Sequence, residues 1–190
     1  MRDLHGRIVV ITGATSGLGA LLGGKFADKG AVPVLTGRSS AKLLEAASRF
    51  PGTLDTYVMD VTSSQDVERT VNEIMEKYGR IDVLVNNAGF GIFKSALEAP
   101  LSDFEEMMDV NYMGVVRCTK AVLPHMVQAG AGNIVNIASM AGKIGTAKSS
   151  GYTASKHAVL GFTNSLRQEL IGSGVVLSAV NPGPIDTPFF

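Results

Sequence analysis

Ile8-Val9-Val10-Ile11 is an unbroken apolar run that ends in a glycine-rich turn. A strand with apolar side chains on both sides of its pleat is buried on both faces, as in a parallel sheet covered by helices. Further short apolar runs at 32–36, 54–59, 81–85, 133–138 and 175–180 alternate with segments of helical pattern. Parallel neighbours need a crossover, so the chain reads as β-α-β units with right-handed connections. Helices are expected from the glycine turn to about Gly30, over 40–50 with a stop at Pro51-Gly52, and from a Ser63 or Ser64 cap to Tyr78-Gly79. A single long helix over 102–129, with Pro124 near its end, and another over 152–171 complete the pattern. Pro33 cannot donate to a ladder and is expected at the start of its strand. Gly23-Gly24 costs the first helix about 1 kcal/mol per glycine against alanine, which points to close packing on the sheet.

The 190 residues form one domain, 1–190, with a core large enough to be stable alone. Lys+Arg and Asp+Glu are both 17, so no basic excess points to nucleic acid or an anionic membrane. No apolar run is long enough to span a bilayer, and the first residues lack an apolar signal core. Cys118 is the only cysteine, which fits a reducing compartment, and the expected location is cytoplasmic. His5, His125 and His157 lack metal-ligand spacing, so no metal site is expected.

In an open parallel sheet, ligands collect beyond the C-terminal ends of the strands. The chemically suggestive residues stand at those ends. Thr12-Gly13-Ala14-Thr15-Ser16-Gly17-Leu18-Gly19 lies between a buried strand and a helix, which makes a phosphate cradle of backbone N–H groups. Its spacing is G-x-x-x-G-x-G, unlike the commoner G-x-G-x-x-G. After the second strand, where NAD-binding chains usually place an acid for the ribose 2′-hydroxyl, this chain has Arg38. A guanidinium suits a 2′-phosphate, so NADP(H) is expected in preference to NAD(H). Asp60 and Asn86-Asn87-Ala88-Gly89 end the third and fourth strands, and Ser139 ends the fifth. Tyr152 and Lys156 are four apart on a helix and share one face. An ammonium beside a phenol favours the phenolate, so Lys156 is expected to lower the Tyr152 pKa and fit it for proton transfer. Alone, that spacing occurs on many surface helices.

Taken together, the chain resembles the short-chain dehydrogenase/reductase (SDR) family along its whole length. The resemblance rests on Thr12-Gly13-x-x-x-Gly17-x-Gly19, Asn86-Asn87-Ala88-Gly89, Asn111, Ser139, Tyr152-x-x-x-Lys156 and Pro182-Gly183. It implies an α/β fold, a Rossmann-type doubly wound parallel sheet in three layers with strand order 3-2-1-4-5-6. It also implies hydride transfer between a nicotinamide and a small-molecule carbonyl or secondary alcohol. Tyr152 would be the acid/base and Ser139 would hydrogen-bond the substrate oxygen. Lys156 would bind the nicotinamide ribose, and Asn111 would anchor a water linking Lys156 to solvent. Gly13, Thr15, Ser16, Gly17, Leu18, Gly19 and Arg38 would meet the phosphates. Asp60, Val61, Asn87, Ala88 and Gly89 would meet the adenosine side, and Pro182, Gly183, Ile185 and Thr187 the nicotinamide. A seventh strand and a substrate lid, both expected of the family, are absent from the 190 residues.

Two other readings use the same machinery: a non-catalytic NADP-binding redox sensor or scaffold, and an epimerase or dehydratase. Intact Asn111, Ser139, Tyr152 and Lys156 argue against the first, and the glycine spacing against the second. Phe90, Ile92, Phe93, Ile144, Phe189 and Phe190 flank the expected pocket and favour a hydrophobic carbonyl compound. Family members pair through the helices at 102–129 and 152–171, so a homodimer or homotetramer is expected. Met107, Met108, Phe162, Leu166 and Leu170 are available to such an interface, although some of them must pack on the sheet.

Overall fold

The computed structural model describes residues 3–50 and 54–186. Its sheet contains β1 (Ile8–Ile11), β2 (Val32–Gly37), β3 (Asp55–Val58), β4 (Val83–Asn86), β5 (Gly132–Ile137) and β6 (Val175–Val180). All pairings are parallel and the order is β3-β2-β1-β4-β5-β6, the Rossmann-type order expected from the sequence. The chain reverses direction of growth between β1 and β4, which opens a crevice above their C-terminal ends.

β1 is buried on both faces as its composition requires. Val9 and Ile11 point to one side, where they meet Leu43 and Ala46 of α2 (Ser40–Ser48) and Ala20 of α1 (Gly17–Ala27). Ile8 and Val10 point to the other, toward Val67, Val71 and Ile74 of α3 (Ser64–Tyr78). Each such side chain contributes about 1.5–3 kcal/mol by leaving water. Ser63 caps α3, its Oγ accepting from the Asp66 N–H at 3.2 Å. Pro33 is the second residue of β2. Val32 N–H donates to Arg7 on the β1 side, so the Pro33 nitrogen faces the β3 side, where pairing begins only at Val34. No ladder bond is lost there. A Cβ on Gly23 would lie 2.7 Å from Leu35 Cδ2 of β2, so glycine lets the first helix approach the sheet without moving that side chain. β6 is the outer strand, and its Val176, Ser178 and Val180 are exposed.

The single helix expected over 102–129 is instead three pieces. α4 (Leu101–Met108) runs into a π-helical turn (Asp109–Met113), and α5 (Gly114–Gln128) continues from it. Gly114 N–H donates to Asp109 C=O, five residues back, where an α-helix would bond four back. The turn re-aims Asn111, and the contact that holds it there is described below. α6 (Ser150–Glu169) packs beside α4 and the π-turn. Met107, Leu166 and Leu170 are buried in the fold, so they are not surface residues open to a second subunit. Pro51-Gly52, Thr187, Phe189 and Phe190 lie outside the described residues.

A buried polar ladder fastens the C-terminal ends of β4 and β5 to the helices. Asn86 Nδ2 donates to Asn136 Oδ1 at 2.8 Å and to Thr119 Oγ1 of α5 at 3.2 Å. Asn136 Nδ2 donates to Thr163 Oγ1 of α6 at 2.9 Å. All four residues are buried. Deleting one amide leaves its neighbours unpaired away from water. Asn136→Ala should therefore lower the unfolding free energy by about 2–3 kcal/mol, read as a lower urea midpoint. An unchanged midpoint would show that the ladder contributes nothing to stability.

Candidate active site

At the C-terminal edge of the sheet lies a cleft of about 710 Å³. One end is built by the turn between β1 and α1. Gly13 has φ +64°, and a Cβ there would lie 2.6 Å from Ala88 Cα, so the turn accepts only glycine at this point. Thr12 Oγ1 accepts from the N–H groups of Asn87 and Ala88, both at 3.0 Å. Asn87 Nδ2 donates to Thr12 C=O at 2.9 Å and Gly13 C=O at 3.1 Å. These bonds tie the turn to the loop after β4. The Ser16 side chain does not cap α1, so the first-turn N–H groups of that helix remain open to the cleft. Arg38 borders the same end and is exposed. Asp60 stands close by. Burial pushes its carboxyl up, but the Thr62 N–H and hydroxyl, with the Arg38 and Arg117 charges, bring it below the usual carboxylate value.

The other end is apolar and carries the titratable pair. Ser139 Oγ accepts from the Ala141 N–H at 3.1 Å, and its hydroxyl lies near enough to the Tyr152 phenol to lower its pKa. The Tyr152 ring is flanked by Phe93, with ring centroids 5.6 Å apart. Lys156 is 4% exposed, and its Nζ donates to Ile137 C=O at 2.9 Å. Burial lowers its pKa from 10.5 to about 8. The expected depression of Tyr152 by Lys156 does not occur. The ammonium is directed at the Ile137 carbonyl, 5.7 Å from the centre of the phenol ring. Burial therefore raises Tyr152 above its ordinary value, and the Ser139 hydrogen bond offsets part of the rise.

Asn111, fully buried in the π-turn, joins the two ends. Its Oδ1 accepts from Phe90 N–H at 2.9 Å, and its Nδ2 donates to Phe90 C=O at 2.8 Å and to Ser155 Oγ at 3.0 Å. Ser155 Oγ in turn donates to Tyr152 C=O at 2.7 Å. Both amide hydrogens of Asn111 are thus engaged with the loop after β4 and the helix of Tyr152.

Comparison with known proteins agrees with this geometry. The short chain dehydrogenase family model matches residues 7–190. The chain belongs to the short-chain dehydrogenase family. An uncharacterized oxidoreductase of Staphylococcus saprophyticus is 40% identical over 192 residues, covering 99% of this chain and 82% of that protein. A 3-oxoacyl-(acyl-carrier-protein) reductase of Thermotoga maritima is 38% identical, covering 97% and 76%. Among solved structures, an NAD+-bound xylitol dehydrogenase superposes with a TM-score of 0.91 at 31% identity, covering 96% of this chain and 72% of that one. As a short-chain dehydrogenase the chain is an oxidoreductase that works between CH–OH and carbonyl groups with NAD(P). The residues present fit such a dinucleotide. The Gly13 cradle and the open helix N-terminus suit a pyrophosphate, and the cleft runs on from there to Tyr152.

Of the residues singled out in the sequence, Gly13, Thr15, Ser16, Gly17, Leu18, Arg38, Asp60, Val61, Asn87, Ala88, Gly89, Ser139, Tyr152, Lys156, Pro182, Gly183 and Ile185 all line the cleft. Gly19 does not. It lies behind the turn, where a Cβ would meet Asn87 Nδ2 and Gly13 C=O. Asn111 also stands outside the lining and acts through Phe90 and Ser155. Ile92 turns away, its N–H donating to Met107 Sδ at 3.3 Å. Gly37, Val110, Ile137 and Ser149 line the cleft without having been singled out. Gly37 and Ile137 end strands β2 and β5, so the strand-end rule could have found them. Val110 enters only through the π-turn, which has no sequence signal.

The buried ammonium gives a pH signature. A lysine whose folded pKa is lowered destabilises the fold while it is charged, and that cost fades as pH rises from the folded toward the unfolded value. Relative to Lys156→Met, the wild type should gain roughly 3 kcal/mol of unfolding free energy between pH 7 and pH 10.5. Denaturant melts across that range measure it, and parallel curves for the two proteins would contradict the burial of a charged Lys156.

Proposed function

We propose that the chain is an NADP(H)-dependent carbonyl reductase in which Tyr152 donates the proton. The placement of Ser139, Tyr152 and Lys156 together in the lining of one cleft that begins in a phosphate cradle carries this reading. Bound nicotinamide supplies the hydride. Tyr152 and Ser139 converge on the substrate oxygen, where two donors offset the negative charge that develops during reduction. The phenol, raised by burial above its ordinary value, is protonated at neutral pH, which is the form that can donate to a carbonyl oxygen. Lys156 binds the nicotinamide ribose from its post beside Ile137, and Asn111 positions the helix of Tyr152. The turn N–H groups of Thr15, Ser16, Gly17 and Leu18 hold the pyrophosphate. Asp60, Val61, Asn87, Ala88 and Gly89 take the adenosine side, and Pro182, Gly183 and Ile185 the nicotinamide side.

Arg38 favours the 2′-phosphate. Among the described residues it makes no hydrogen bond or ion pair, so its donors are available to an anion at the cleft edge. The apolar end is walled by Phe90, Phe93, Met140 and Ile144, which suits a hydrophobic aldehyde or ketone. Reduction is also the direction in the names of the Thermotoga relative and of a sulfoacetaldehyde reductase of Chromohalobacter salexigens that is 41% identical. The assembly expected is a homodimer or homotetramer.

NADPH absorbance decay with a panel of aldehydes and ketones tests the reading. Tyr152→Phe should cut turnover by at least about 100-fold while NADPH fluorescence still reports binding. Substantial activity in that variant would contradict the role of the phenol. Arg38→Asp should shift the kcat/KM ratio of NADPH over NADH by roughly 10- to 100-fold toward NADH. If the ratio does not move, Arg38 does not read the 2′-phosphate.

A further inference from the structure

We propose that Arg117 is a positioning residue that couples occupancy of the adenosine end of the cleft to the π-turn holding Asn111. The inference rests on the dinucleotide reading above and extends it to a residue outside the cleft lining. Arg117 lies on α5, half-buried, and its guanidinium bridges two segments that are distant in sequence. Nη1 donates to Val61 C=O at 3.2 Å and to Asp109 C=O at 3.4 Å, and Nη2 donates to Asp109 Oδ1 at 2.7 Å. Val61 follows Asp60 in the short loop after β3, and both border the cleft. Asp109 opens the π-turn, and its carbonyl is the one that accepts the five-residue bond from Gly114. The guanidinium thus hydrogen-bonds the adenosine-side loop and the defining carbonyl of the turn at once.

Packing supports the same link. A Cβ on Gly114 would lie 2.9 Å from Val61 Cγ2, so the end of the turn is in contact with the adenosine-side loop. A shift of Val61 is therefore transmitted to the turn both by contact and through the planar fork of Arg117, which fixes direction as well as distance. Two residues beyond Asp109, Asn111 grips both the N–H and the C=O of Phe90. Ligand at the adenosine end should make that grip more persistent. In this way, binding of a part of the dinucleotide remote from the chemistry would order the reacting end.

The probe is ADP, the portion shared by NAD and NADP, so the test does not depend on the 2′-phosphate or on turnover. Amide hydrogen exchange is followed at Phe90, whose N–H is bonded to Asn111, and across 110–114. In the wild type, saturating ADP should slow exchange at these amides at least fivefold. In Arg117→Met, with ADP binding verified by calorimetry, the slowing should fall below twofold. Asp109→Ala, which removes the ion pair from its more exposed side, should give the same loss. Equal slowing in wild type and both variants would overturn the proposal, as would wild type that binds ADP with no slowing at Phe90. Failure of the wild type to reduce any carbonyl with NADPH would instead sink the functional reading and leave the coupling measured.

Discussion

The grip of Asn111 on Phe90 is the contact through which the two halves of this molecule become one site. An asparagine has two donors and an acceptor in a fixed plane, and here it satisfies both backbone groups of Phe90 and reaches Ser155. Those Phe90 groups lie in an irregular loop after β4, where no ladder is available to pair them. The same amide fixes the helix that carries Tyr152 and Lys156. An α-helix through residues 109–113 would place the side chain elsewhere on the cylinder. The π-turn supplies the rotation, and its weaker backbone bonding is offset by the three side-chain bonds of the buried Asn111.

Around that contact, the parallel sheet provides what a dinucleotide site needs. Six strands deliver their C-terminal ends to one edge, so side chains from β1, β4 and β5 and from the following loops meet without long excursions. The glycine turn is kept open by its bonds to Asn87 and Ala88, not by flexibility. The buried amide ladder between Asn86 and Asn136 anchors the strand ends just beneath the cleft. Arg117 and Asn111 then connect the loop at Val61 to the helix of Tyr152 across α5 and the π-turn.

Much of this was legible in the chain. The apolar run at 8–11, the glycine turn and the β-α alternation follow from burial and backbone sterics, which are local and leave a pattern. Arg38, Ser139, Tyr152 and Lys156 were found because each stands at a strand end or shares a helix face. The π-turn was not legible: residues 102–129 carry an uninterrupted helical pattern, and the inserted residue is stabilised by partners in another loop. The same limit applies to Tyr152. Spacing on a helix brings Lys156 near it, but the ammonium donates to a carbonyl at the end of β5, and burial of the phenol sets the sign of the shift. Asn86 reads as a strand-end residue and Asn136 as part of the fifth strand, and their pairing is a matter of register between β4 and β5.

The central claim is that one cleft holds a nicotinamide at one end of its run and a proton-donating tyrosine beside it. Transfer of label tests this most directly. NADPH carrying deuterium at the reactive nicotinamide carbon is mixed with a hydrophobic aldehyde and the protein, and the alcohol is examined by mass spectrometry. The account predicts one deuterium on the carbinol carbon in ordinary water, and none there when unlabelled NADPH is used in D2O. Carbon-bound label arriving from the solvent, or no alcohol formed with any hydrophobic carbonyl compound, would contradict it.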